Sequence, residues 1–105
     1  MEKSENPQKI NIELKEDVAQ GVYANLAIVT HSASEFVLDF VRIVPGIQKA
    51  RVKSRIIITP DHAKRLISTL KDNVKNYEET HGEIKANINI QNKFPLNFGG
   101  PTGEA

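Results

Sequence analysis

Apolar and polar residues alternate along the first half of this chain and then recur at intervals of three and four, so the pattern predicts strands followed by one long helix. Ile10, Ile12 and Leu14 alternate with Asn11 and Glu13, a short first strand ending at Lys15-Glu16-Asp17. Residues 23–31 and 35–44 are rich in Val, Ile, Phe and Leu and are joined by the polar Ser32-Ala33-Ser34, which predicts a hairpin. Pro45-Gly46 marks a second turn into a third strand over residues 49–59.

Thr59-Pro60 has the chemistry of a helix start. Threonine offers a capping oxygen, proline in the first turn loses no needed N–H, and Asp61 suits the positive end of the helix dipole. Ala63, Leu66, Ile67, Leu70, Val74 and Tyr77 then form one apolar stripe, and Gly82 is the expected stop. Ile84, Ala86, Ile88 and Ile90 alternate with polar residues and predict a last strand. The fold class expected is α+β: an antiparallel β-meander of three long strands plus a short first strand and a last one, packed on one long amphipathic helix. Residues 1–9 and the Pro/Gly-rich 92–105 are expected to be disordered ends of a single domain over 10–91.

Parity assigns the faces, since neighbouring side chains on a strand point oppositely. With a three-residue first loop, Leu26 and Ile28 share a face with Phe36, Leu38, Phe40, Val52, Ile56 and Ile58, the face expected beneath the helix stripe. The other face then holds Tyr23, Asn25, Val29, Val37, Asp39, Val41, Ile43 and Ile57 among charges. Such apolar content on a face expected to be wet predicts a cover, foremost a second copy of the chain in a homodimer, or otherwise the first or last strand folding over or a segment of another protein. Tyr23, Asn25 and Asp39 are expected to form a polar cluster within that interface.

Composition changes this picture little. The chain of 105 residues is 39% hydrophobic, carries +1 net charge and has no cysteine, which excludes disulfides, thiol nucleophiles and thiolate metal sites. Neither a membrane span nor a signal peptide is legible, so a cytoplasmic protein is expected. The balanced charge conceals a basic segment, however: residues 49–71 hold seven Lys and Arg against Asp61 alone. Within it Lys49, Arg51, Lys53 and Arg55 alternate, and on a strand they would form a one-faced cationic ladder fit for a polyanion or nucleic acid. Paired charges are the simpler expectation, with Asp39 opposite Lys53 in the simplest register.

No cofactor or metal site is expected. His31, His62 and His81 are far apart in sequence, and the histidine, serines and carboxylate of His31, Ser32, Ser34 and Glu35 read as turn chemistry rather than a catalytic triad. Gly99-Gly100 and Gly103 lack the flanking strand and helix of a phosphate loop. The expected function is a non-enzymatic interaction or scaffold module acting as a homo-oligomer, with a chaperone-like role included; the alternative is a binder of nucleic acid or another polyanion using the basic strand.

The strings Tyr23-Ala24-Asn25-Leu26-Ala27-Ile28, His31-Ser32, Glu35-Phe36-Val37-Leu38-Asp39-Phe40, Arg55-Ile56-Ile57-Ile58-Thr59-Pro60 and His62-Ala63-Lys64 resemble a family of small bacterial and archaeal proteins catalogued as a domain of unknown function. The resemblance spans about residues 10 to 84 and implies no activity, cofactor or site residue. In outline alone, a meander followed by one helix is similar to export-chaperone subunits of the SecB type.

Overall fold

The computed structural model describes residues 9–86. Their order is α1 (Glu16–Ala19), β1 (Leu26–His31), β2 (Phe36–Arg42), β3 (Arg51–Ile58) and α2 (Pro60–His81). The three strands form one antiparallel sheet in the order β1-β2-β3, and with the C-terminal helix they make the α+β arrangement that the sequence predicts. The expected ends at 1–8 and 92–105, and the part of the last strand beyond residue 86, lie outside the described residues.

Two local expectations are corrected. Residues 10–14 form no strand; Ile10, Ile12 and Leu14 are strongly exposed, and the alternation has no neighbouring backbone to pair with. The charged stretch after them is instead the single turn α1, with Lys15 carbonyl accepting from Val18 N–H and Ala19 N–H. Residues 84–86 likewise carry no ladder. There Ile84 N–H donates to Glu78 Oε2 at 3.0 Å.

The larger correction is the register of the first hairpin. Ser32 N–H donates to Glu35 carbonyl, and Ser32 Oγ accepts from the N–H groups of Ser34 and Glu35, so the turn closes on Ala33-Ser34. His31 therefore faces Phe36, and Leu26 faces Val41. A turn with an even instead of an odd number of loop residues inverts the parity of a whole strand. Leu26, Ile28 and Thr30 share a face with Val37, Asp39 and Val41, whereas Ala27, Val29 and His31 lie with Phe36, Leu38 and Phe40.

A bulge produces a second inversion. Phe40 pairs with Ser54 but Val41 pairs with Val52, leaving Lys53 as the extra residue of β3. Beyond it Arg51 lies opposite Arg42 rather than on the face of Arg55. Val52 thus leaves the Ile56 and Ile58 face on which simple alternation placed it.

Helix α2 starts and stops where its chemistry dictates. Thr59 Oγ1 accepts from His62 N–H at 3.1 Å, and Pro60 opens the first turn. At the other end Gly82 takes φ +96°, a left-handed value favouring glycine, and returns its N–H to Glu78 carbonyl. Ala63 and Leu66 are half-buried. The rest of the stripe is not covered: Ile67 is 66% exposed, Leu70 59% and Tyr77 51%, against the expectation that the stripe lies on the sheet. Among the described residues the buried apolar side chains are Leu26 and Val41 on one face of the sheet and Ile58 on the other, little burial even for a domain of this size.

Candidate functional site

The expected partner face is taken apart by the register. Asp39 is 1% exposed and Val41 is buried beside Leu26, so both belong to the interior. Val29 and Ile57, each more than half exposed, fall on opposite faces. Val37 is half-buried and pairs directly with Ile57. Tyr23 precedes β1 and lies 5.6 Å beneath the Arg42 guanidinium, a cation–π contact across the sheet edge.

Asn25 and Ile43 have a structural role. Asn25 Nδ2 donates to Ile43 carbonyl at 3.0 Å while Asn25 Oδ1 accepts from Ile43 N–H at 2.8 Å. The side chain thereby imitates one further rung of the ladder, next to the backbone bond from Asn25 N–H to Val41 carbonyl. Asn25→Ala removes both side-chain bonds at an exposed site, and we expect a loss of about 1 kcal/mol. Urea unfolding monitored by circular dichroism measures it; an unchanged midpoint would show that the clamp contributes nothing.

Asp39 meets a cation of the predicted ladder, though not the one expected. The register sets it opposite Arg55, and the fork of that side chain donates from Nε to Oδ1 at 2.7 Å and from Nη2 to Oδ2 at 2.9 Å. This is the bidentate geometry in which a guanidinium matches a carboxylate. The hydrogen bond and the charge of Asp39 raise the Arg55 pKa further. A raised cation contributes stability that is fully present below its unfolded pKa and lost only as pH climbs through the folded one, so this pairing holds across ordinary pH.

The cationic ladder does not form as one face. Arg55 is engaged by Asp39, Lys53 occupies the bulge, Arg51 pairs with the opposite parity, and Lys49 precedes the strand. Exposed Arg51 and Lys53 instead mark an edge strand, where charge discourages pairing with another sheet.

His31 and His81 serve local packing. His31 stacks on its cross-strand partner Phe36 with ring centroids 5.2 Å apart, and His81 lies 4.7 Å from Tyr77 one turn back on α2. Among the described residues no three His, Cys, Asp or Glu come together to hold a metal ion. A shallow open hollow lined by Val22, Ala24, Phe40, Ser54 and Ile56 carries no ionisable group.

What sequence reasoning missed is the exposed part of α2. Ile67, Leu70, Val74 and Tyr77 were predicted as sheet-covering residues, yet they form an open apolar row along the helix. Their spacing of three, four and three is a signal for helix–helix pairing as much as for helix–sheet packing.

The fold and this surface together define a small α+β protein with an open amphipathic helix. The family described as protein of unknown function (DUF3467) matches residues 1–86, and the chain belongs to it. No curated protein and no solved structure matches the chain. Among the described residues no helix is long and apolar enough to cross a membrane.

Proposed function

We propose that this protein is a non-enzymatic interaction module that works as a homo-oligomer in the cytoplasm, its first partner being a second copy of itself. One observation carries the reading: Ile67, Leu70, Val74 and Tyr77 stand exposed in a row on the helix, while few apolar side chains among the described residues are buried. Contiguous apolar surface of this kind marks an interaction site. A small core gains stability when a partner removes such a row from water, at about 25 cal/mol for each Å² of apolar surface covered. The polyanion reading has weaker support, because the bulge divides the ladder and Asp39 occupies Arg55.

Light scattering coupled to size exclusion tests the proposal. The native chain is expected at a multiple of one chain mass at micromolar concentration, and Leu70→Glu, at a position 59% exposed, is expected at one chain mass with its helicity kept. A native protein that stays at one chain mass up to high concentration would overturn the reading.

A further inference from the structure

Resting on that self-association, we infer that the contact is an antiparallel pair of α2 helices, one from each copy. Residues 67, 70, 74 and 77 repeat as the seam of a two-helix coiled coil, with β-branched Ile67 and Val74 alternating with Leu70 and Tyr77. A two-fold axis near residue 72 seats Ile67 against the partner's Tyr77 and Leu70 against the partner's Val74. Every exposed member of the seam then has an apolar neighbour.

Charge selects the direction. The N-terminal half of the helix carries Lys64 and Arg65 against Asp61, while the C-terminal half carries Asp72, Glu78 and Glu79 against Lys71 and Lys75. The N-terminal half is thus net basic and the C-terminal half net acidic. Antiparallel pairing sets each net basic half against a net acidic half, and the two dipoles oppose. Lys64 and Glu78 flank the seam on the same side, two heptads apart, so each Lys64 comes beside the partner's Glu78. One Glu78 oxygen accepts Ile84 N–H, and the second remains for the lysine. Lys71 meets the partner's Lys71 near the axis, where the long stems can carry both ammonium groups outward into water. In a parallel pair, by contrast, like halves face each other and His81 meets the partner's His81.

The chain has no cysteine, so introduced thiols report on this geometry without background. Ile67→Cys and Tyr77→Cys are prepared separately, mixed and oxidised. The antiparallel pair joins position 67 to position 77 in the mixture, and neither variant joins to itself, since identical positions are about 15 Å apart along the axis. Self-linking of either single variant would overturn the direction. A native protein of two chains that links in no sample would place the contact elsewhere and leave self-association standing, while a native mass of one chain removes both readings. Charge reversal decides independently where a thiol loosens the dimer. Lys64→Glu is expected to raise the dimer dissociation constant about tenfold, and the double variant Lys64→Glu with Glu78→Lys to restore it. A double variant no tighter than the single one overturns the proposal.

Discussion

Replacing Leu26 by alanine is expected to leave much of the protein unfolded at physiological temperature. Leu26 faces Val41 directly across β1 and β2, and with Ile58 these are the buried apolar side chains of the described residues. Truncating a buried leucine to alanine costs about 2–5 kcal/mol, the lost transfer energy plus the cavity left behind. A single core in a domain of this size supplies roughly 3–5 kcal/mol in total, so the substitution removes most of it. Self-association adds a second feature. A partner that binds only the folded chain stabilises it by mass action, so the unfolded fraction of Leu26→Ala should shrink as protein concentration rises. Urea titrations followed by circular dichroism at two concentrations measure both effects. A midpoint equal to that of the native protein would mean that the sheet is held together without this contact.

The second large effect concerns the pair of Asp39 and Arg55, where the two partners are not equivalent. Asp39 is almost wholly buried on the sheet, whereas the Arg55 side chain is 54% exposed. Removing Arg55 strands a charge in the interior; removing Asp39 leaves a cation that turns into water. Arg55→Met is therefore expected to be the most damaging single change outside the apolar core. Asp39→Val, which places a β-branched residue between Val37 and Val41 on their own face, is expected to be neutral or stabilising. The double variant should recover most of the loss caused by Arg55→Met, because an apolar pair replaces an ion pair without leaving a charge behind. Thermal unfolding of the three variants tests the order. A double variant as unstable as Arg55→Met alone would show that the guanidinium acts through some contact other than Asp39.

Three long strands and the helix were legible because each carries its own local instruction. Thr59, Pro60 and Gly82 delimit α2 through backbone chemistry within a few residues, and the β-branched runs of β1 and β3 favour extended chain wherever they lie. The first strand failed for the complementary reason. Alternation at Ile10, Ile12 and Leu14 states which residues would share a face, but not whether another strand is there to share the ladder.

The candidate face failed through a smaller cause. One residue in the turn at Ser32 to Glu35 decides whether Leu26 lies with Phe40 or with Val41, and the bulge at Lys53 decides whether four alternating cations form one row. A pairing of Asp39 with the basic strand follows from the alternation and the simplest register, yet its partner is Arg55 instead of Lys53, because register depends on the turn closed by the whole hairpin.

The sequence by itself determined the class of the protein, the position of its strands and helix, and membership of a family whose motifs run through the sheet and into α2. Those features depend on torsional preference, capping and periodicity, all of which act between near neighbours. Only the tertiary structure decided which side chains share a face, that Asp39 is interior and held by Arg55, and that Ile67, Leu70 and Tyr77 remain in water. Facing and exposure are set by turn length, by a single bulged residue and by how far a helix lies from the sheet it follows, quantities that no local pattern encodes.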